Sequence, residues 1–138
     1  DNKEADALSE RMLKIEPDNL SIQAGLATSL LNQGKEYYRA EQMMLKVIEK
    51  EPNNAEYLGT LAWIEFNMSD YKLADEYMRK ALTISPNNAK LNERMGDIQF
   101  RLKNTDEAMK YWNKAKSLGG GSPELDEKIK NRALKDEY

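Results

Sequence analysis

The sequence has 138 residues, of which 40% are hydrophobic and 33% are charged, and its formal net charge is −3. With only 7 Gly and 4 Pro, this composition is typical of a soluble helical protein and excludes a disordered or fibrous chain. The weak negative charge argues against general attraction to nucleic acid, so no nucleic-acid partner is expected.

Two missing residue types limit the possible chemistry. The chain contains no Cys and no His, which removes the usual zinc ligands, thiol nucleophiles and imidazole bases. We therefore expect no metal site, no cofactor and no catalytic residue. No apolar run is long enough to cross a bilayer, which takes about 20 residues, so no membrane span is predicted.

Residues 1–19 predict one helix followed by a turn. Pro17 ends the helix at or before Glu16, because a proline disfavours the helical conformation of the residue that precedes it. We interpret this segment as the second half of a repeat whose first helix is missing, and the start of the sequence as a cut inside a longer protein. The predicted helix carries an apolar stripe with members three or four residues apart: Ala5, Leu8, Met12 and Ile15.

A recurring tetrapeptide divides the next part of the chain into units. Pro-Asn-Asn-Ala occurs at 52–55 and again at 86–89, 34 residues later. Each unit contains two amphipathic segments and one polar turn, which predicts stacked helix pairs and an all-α fold. The predicted units are 20–53, 54–87 and 88–121. Their helices are expected over 20–34 and 37–51, 54–67 and 70–85, and 88–102 and 105–118.

Residues 122–138 are predicted to form a capping helix. The preceding run Gly119-Gly120-Gly121-Ser122 lacks the strand and the Lys-Ser/Thr of a phosphate-binding loop, so we interpret it as a flexible helix C-cap. Ser122 would cap a helix over 123–136 that begins at Pro123. One side would be apolar and pack on the third unit, through Leu125, Ile129 and Ala133 or Leu134. The charged residues of 124–132, Lys128 among them, would face water, as the end of a helical stack requires.

The pattern resembles the tetratricopeptide repeat (TPR) family over essentially the whole chain. This resemblance implies a right-handed superhelix of three full repeats, in which small residues lie where the two helices of a repeat cross and large ones fill the space to the next repeat. The matching small residues are Ala27, Ala62, Gly96, Ala40, Ala74, Ala108, Val47, Ala81 and Ala115, and the matching large residues are Leu26, Leu61, Met95, Met44, Met78 and Trp112.

One departure from the family pattern concerns Glu65, which stands where the family often has Tyr. We expect it to be exposed at the groove edge or paired with a neighbouring base. The segments YLGTLAWIEF and ERMGDIQFRLKNTDEAMKYWNKAKSLGGGSPELDEKI are also similar to C-terminal segments of long TPR proteins from Gram-negative bacteria. That similarity implies a periplasmic or envelope-associated scaffold.

In the TPR family the first helix of each repeat lines a concave groove, which implies a peptide-binding surface here. The aromatic members of this surface would either face the groove or pack between adjacent first helices. An exposed aromatic patch with cationic neighbours suits a peptide or helix that carries acidic residues. The candidate peptide-binding residues are Trp63, Phe66, Asn67, Lys90, Arg94, Asp97, Phe100 and Arg101.

Lys90 and Arg94 also resemble two members of the five-residue clamp with which one TPR subclass binds the C-terminal carboxylate of chaperones. The other three positions carry Ala24, Thr28 and Thr60, so the clamp is incomplete. The two cations lie one helical turn apart and could hold an anion, or they could form a solvated face.

These features predict a protein-interaction scaffold that binds a peptide or helix of a partner protein in its groove, and not an enzyme. The alternative is a spacer segment of a longer solenoid that binds no groove ligand. A binding module should keep its groove hydrophobics accessible to solvent, whereas a spacer should bury them or present a polar groove.

Overall fold

The computed structural model describes residues 2–138 of the chain, and the first residue of the predicted N-terminal helix, Asp1, lies outside them. Within this range there are eight α-helices and no strand, which confirms the all-α prediction. None of these helices is long and apolar enough to cross a membrane. The helices are α1 (Asn2–Ile15), α2 (Leu20–Asn32), α3 (Tyr37–Lys50), α4 (Ala55–Asn67), α5 (Tyr71–Ile84), α6 (Ala89–Arg101), α7 (Thr105–Ser117) and α8 (Leu125–Asn131).

The asparagine that follows each Pro-Asn or Pro-Asp pair starts the next helix. The side-chain oxygens of Asn54 and Asn88 each accept a hydrogen bond of 3.0 Å from the backbone N–H three residues later. Asn19 caps α2 in the same way. These bonds satisfy one of the backbone donors that a helix start leaves unpaired. The proline therefore stops one helix and the asparagine begins the next, which gives a short, fixed connection between repeats.

Each repeat is built on a close crossing of its two helices. α2 packs on α3, α4 on α5 and α6 on α7, and each second helix also packs on the first helix of the following pair. The apolar residues that the family resemblance assigned to the crossings and to the spaces between repeats are each at most 1% exposed. This burial is what the repeat register predicted from the sequence requires.

The crossing of α6 and α7 has glycine where the other two repeats have alanine. A Cβ atom placed on Gly96 would lie 2.3 Å from Cδ1 and 2.4 Å from Nε1 of Trp112, which is itself fully buried. The other two repeats combine an alanine with a methionine at these positions. The third repeat therefore accommodates a larger indole by losing the methyl group opposite it.

The helix α1 differs from the rest because it contains no buried residue. Its apolar stripe faces solvent, with Leu8 53% and Ile15 81% exposed. Polar bonds attach α1 to α2, including one of 2.7 Å from the Ser29 hydroxyl to Asp6. The amphipathic pattern found in the sequence is thus real, but in this structure no second helix covers it.

The prediction of one long helix over 123–136 is wrong. Helix α8 ends at Asn131, Arg132 adopts a left-handed conformation with φ of 53°, and a single 3-10 turn follows at Lys135–Glu137. After this reversal Ala133 and Leu134 are both buried, and Leu134 packs in the core cluster that contains the buried residues of α7. Ser122 is not an N-cap either, since its hydroxyl and its backbone N–H both donate to Glu93.

The prediction for Glu65 is also wrong, because it is neither exposed nor paired with a base. Glu65 is 2% exposed, and its Oε1 atom has no hydrogen-bond partner among the described residues. Burial, a hydrogen bond with Glu41 and the charges of Glu41 and Asp70 together raise the pKa of Glu65 to about 8. At neutral pH this side chain is therefore a buried neutral acid between α3, α4 and α5.

We expect Gly96→Ala to destabilise the protein by about 1–3 kcal/mol, because the added methyl group would displace the indole of Trp112. Gly25 is the matched control: it also lies in a first helix, but a Cβ there meets nothing within 4 Å. Gly25→Ala should be neutral or stabilising, since alanine has the higher helix propensity. Thermal and urea unfolding would measure both, and equal midpoints for the two variants would contradict the crossing described above.

A second prediction concerns the pH dependence of stability. Between about pH 4.5 and pH 8, folded Glu65 holds a proton that the unfolded chain does not, so its contribution to stability grows as pH falls through this window. Glu65→Gln should therefore raise the free energy of unfolding by roughly 1–3 kcal/mol at about pH 9 and change it little at about pH 4. Glu49→Gln, an exposed change on α3, should have little effect at either pH. Parallel pH profiles for wild type and Glu65→Gln would refute the assignment.

Candidate functional site

The first helices α2, α4 and α6 lie side by side, and a cavity of about 420 Å³ opens between the last two and the C-terminal segment. Its floor is an aromatic ring, its α6 wall carries charges of both signs, and residues of the 121–124 loop and α8 close its far side. The residues lining the cavity are Trp63, Lys90, Glu93, Arg94, Asp97, Gly121, Ser122, Glu124 and Lys128.

Two groups are stacked on the ring of Trp63. On one side the ring of Phe66 is 4.3 Å away, centroid to centroid, with an angle of 4° between the planes. The guanidinium carbon of Arg94 lies 4.7 Å from the centroid of Trp63, within the range of a cation–π interaction. Trp63 is half-buried, so its remaining surface is available to a molecule in the cavity. The ring is held in place before any ligand arrives.

Arg94 is a half-buried cation, and no carboxylate within the described residues forms an ion pair with it. Burial lowers its pKa to about 10. The charge of Arg94 in turn lowers the pKa of Lys90, one turn earlier on the same helix. Neither cation forms an ion pair, although the charge of Glu56 acts on Lys90 and those of Asp97 and Glu93 act on Arg94. Glu124, an exposed acid, lines the same cavity, so α6 presents two cations to a cavity whose lining as a whole is of mixed charge.

The two acids of the same wall are fully engaged by the C-terminal part of the chain. The Lys128 ammonium donates to Glu93 at 2.6 Å and to Asp97 at 3.0 Å. Trp112 Nε1–H donates to the other oxygen of Asp97 at 2.9 Å, and the Ser122 backbone N–H donates to Glu93 at 2.6 Å. Lys128, Glu93 and Asp97 thus form a charged triad. Their side chains are only 14%, 6% and 8% exposed to solvent.

The pKa values of the triad follow from burial and pairing. Burial raises the pKa of Asp97 to about 6, although Lys128 and Trp112 act in the opposite direction. Burial would also raise the pKa of Glu93, but the bonds from Lys128 and Ser122 outweigh it and lower the pKa. The two carboxylates likewise outweigh burial at Lys128 and raise its pKa. Lys128 thus stays charged as the common counter-ion of both acids.

The predicted site residues fall into separate groups. Trp63, Lys90, Arg94 and Asp97 share the cavity, and Phe66 supports Trp63 from behind. Asn67 does not contribute to the cavity; its side chain donates to the backbone carbonyl of Trp63 at 2.8 Å. The remaining two residues, Phe100 and Arg101, line a different cavity near the chain end.

Phe100 and Arg101 are occupied by contacts within the fold. Phe100 packs against the core cluster of the third repeat, with its ring centroid 6.1 Å from that of Trp112. Arg101 forms ion pairs with Asp136 at 2.7 Å and with Glu137 at 3.8 Å. Phe66 also contacts this core cluster. For both phenylalanines, packing inside the solenoid is the observed role.

Sequence reasoning missed Lys128, which was predicted to face water but is buried against α6. A signal for it exists in the spacing. Lys128 follows Leu125 by three residues and precedes Ile129, so it lies on the side of α8 that packs on the third repeat. A lysine at the edge of an apolar helix face needs an acidic partner on the neighbouring helix, and Glu93 and Asp97 were available.

The opposite end of the groove has a different surface. A second hollow of about 310 Å³ between α2 and α4 is lined by small and polar side chains. Its one charged member is Glu56, on α4. The groove is therefore polar and mildly acidic at one end and aromatic and cationic at the other. The residues of this second hollow are Ser21, Ala24, Gly25, Thr28, Glu56, Tyr57 and Thr60.

Comparison with known families agrees with this architecture. A tetratricopeptide repeat model matches residues 1–64, and a second model of the same description matches 55–88 and 89–118. The chain belongs to the tetratricopeptide repeat family. TPR proteins are typically scaffolds for protein interactions and not enzymes. A search of curated protein sequences finds no match to this chain.

Solved structures of MamA, a TPR protein, have a similar fold. One is 18% identical, with a TM-score of 0.82 over 96% of this chain and 77% of the MamA chain. MamA from Desulfovibrio magneticus RS-1 is 20% identical, with a TM-score of 0.79 over 86% of this chain and 67% of its own. MamA AMB-1 is 26% identical, with a TM-score of 0.72 over 88% and 68%. This TPR chain thus shares the helical solenoid of MamA.

The attraction of Lys90 and Arg94 for anions can be tested without a ligand. Iodide, an anionic quencher, should reach Trp63 and be concentrated there by Lys90 and Arg94, whereas Trp112 is fully buried. Arg94→Gln should reduce iodide quenching at low salt relative to quenching by neutral acrylamide, which reports any change in exposure of the ring. Added salt should shrink the difference. Equal iodide quenching of wild type and Arg94→Gln would show that the wall does not attract anions.

Proposed function

We propose that this TPR segment binds a peptide or helix of a partner protein along its concave groove, with an acidic group of the partner at Arg94 and Lys90 and an apolar group on Trp63. The single observation that carries the proposal is the Arg94 guanidinium, which is stacked on Trp63 at the edge of an open cavity without an ion-pair partner.

A partly desolvated guanidinium without a counter-ion is unfavourable, and the lowered pKa of Arg94 expresses that cost. A ligand carboxylate would remove it through charge-assisted hydrogen bonds, which arginine makes in pairs. Lys90, exposed at the mouth of the cavity, would strengthen the attraction. Adjacent apolar contact with Trp63 would exclude water from these bonds.

The two ends of the groove favour one orientation of the ligand. Glu56, at the α2 end, disfavours an acidic group there, and the small residues of α2 permit close approach of a peptide backbone. The acidic part of the ligand would therefore lie toward α6. Electrostatic asymmetry of this kind fixes register and speeds association more than it increases affinity.

A spacer without a groove ligand is the alternative. The packing of Phe66 and Phe100 inside the fold is the observation in its favour, since a spacer needs no exposed groove aromatics. The partly exposed Trp63 and two cations that form no ion pair favour binding. Both alternatives are scaffolding roles, and they differ only in whether the groove has an occupant.

The test uses peptides selected from a random library by the wild-type protein. They should carry acidic residues next to an apolar side chain. Trp63→Ala should weaken their binding by ~2 kcal/mol, about 30-fold, because central desolvated aromatics carry most of the binding energy. Lys90→Ala should weaken binding at low salt and much less at high salt, since the ammonium group is solvent-exposed. Fluorescence polarisation measures both effects.

The control substitution lies on the outer surface of the solenoid. Lys110 is exposed on α7, where it pairs with Glu107, and Lys110→Glu should leave the affinity unchanged. If Lys110→Glu abolishes binding while Trp63→Ala does not, the groove is not the interface and the outer surface is.

A further inference from the structure

The charged residues of α6 alternate in sign over two turns. Lys90, Glu93, Arg94 and Asp97 all line the same cavity. Arg94 and Asp97 are three residues apart on one helix, a spacing at which an acid and a base commonly form an ion pair. A helix with this sequence would be expected to neutralise its own charges and to offer a ligand no net attraction.

The structure shows a different pairing. Arg94 forms no ion pair with Asp97 and lies over Trp63 instead. Both oxygens of Asp97 are taken, one by Lys128 and the other by the indole N–H of Trp112. Both oxygens of Glu93 are taken as well, by Lys128 and by the backbone and hydroxyl of Ser122. Each oxygen of the two acids already has a donor from the C-terminal segment or α7, and none of these donors is Arg94.

We propose that Lys128 is a positioning residue for the groove: by binding Glu93 and Asp97 it keeps Arg94 unpaired and directed at the ligand. This inference rests on the proposed function, because it assigns the reason why the cavity can receive a carboxylate. It gives the capping segment a role in specificity in addition to its role in packing. The lysine does not touch the ligand; it acts through the two acids.

Loss of the Lys128 charge has a definite consequence in this arrangement. Two buried carboxylates without a counter-ion are strongly unfavourable, and Arg94 is a cation that remains on the same helix. Asp97 and Glu93 already attract Arg94 through their charges. The guanidinium would move from Trp63 toward Asp97, and the cavity would change from an anion receptor to a neutral surface. The groove would keep its shape but lose its preference for acidic ligands.

The test is a double-mutant cycle of Lys128→Met, which keeps the length of the side chain, and Arg94→Gln. The probe is a library-selected acidic peptide, paired with an analogue in which glutamine replaces its glutamates. Each single change should weaken binding of the acidic peptide by roughly tenfold, and the double mutant should bind it no more weakly than either single mutant does. The difference in affinity between the acidic peptide and its analogue should shrink to the same remaining contribution of Lys90 in all three variants.

Iodide quenching of Trp63 supplies a readout that requires no peptide. In the wild type Arg94→Gln should reduce it, whereas in the Lys128→Met background Arg94→Gln should have no further effect. Lys128→Arg, which preserves the charge, is the matched control and should behave as wild type. Unfolding midpoints show whether α8 stays docked. If Lys128→Met fails to fold, combining it with Glu93→Gln and Asp97→Asn removes both uncompensated acids and should restore folding and peptide preference.

The outcomes separate this inference from the proposed function. If the effects of Lys128→Met and Arg94→Gln add, for both peptide affinity and iodide quenching, then Lys128 acts only through its own charge and the positioning role is refuted. If the wild type selects no acidic peptide but the quenching cycle is non-additive, the positioning role holds and the proposed ligand class fails. If the wild type binds acidic peptides and Lys128→Met binds them equally well, only the positioning role fails.

Discussion

The close crossing of the two helices in each repeat is the constraint on which the rest of the structure depends. Alanine or glycine at the crossing lets the helices approach until large side chains of the second helix fill the interior completely. Since the crossings recur at nearly constant spacing, successive first helices fall side by side and create a concave surface. Without that approach the chain would have amphipathic helices but no groove.

The third crossing links packing to chemistry. Because Gly96 lacks a side chain, the repeat can hold the indole of Trp112, which is longer than the methionine in the other repeats. The indole reaches through the core to the groove side of α6 and donates to Asp97. A methionine could not donate this bond. The absence of a side chain at Gly96 thus allows Trp112 to reach and hold the carboxylate of Asp97.

Much of the fold could be predicted from the sequence, because the features that determine it are local. The spacing of the prolines, the Asn caps and the small residues at the crossings are each readable within one repeat, and seven of the helices end within about two residues of their predicted limits. The candidate site was harder to predict. Trp63, Lys90 and Arg94 follow from their positions on the first helices, but whether a charge is paired depends on residues that are distant in the chain.

The predictions that were wrong all concern residues whose surroundings depend on distant parts of the chain. Lys128 meets Glu93 across 35 residues, and Glu65 meets Glu41 across 24, so neither environment is visible in a single repeat. The last helix was predicted too long because its composition favours a helix throughout. The structure turns the chain at Arg132 because burial of both Ala133 and Leu134 outweighs a left-handed residue. In each instance a tertiary contact overrode a local preference.

The uneven burial of the helices implies that the chain does not open as one body. Helix α1 has no buried residue, whereas α6 has eight. In a stack of repeats each repeat is stabilised only by contacts with its direct neighbours. Amide hydrogens of α1 should therefore exchange with solvent through local fraying, and those of α6 only through opening of the whole third repeat. The aromatic end of the groove lies on this slow-exchanging part. A ligand seated there would meet a rigid receptor, while the N-terminal end could adjust its position at little cost.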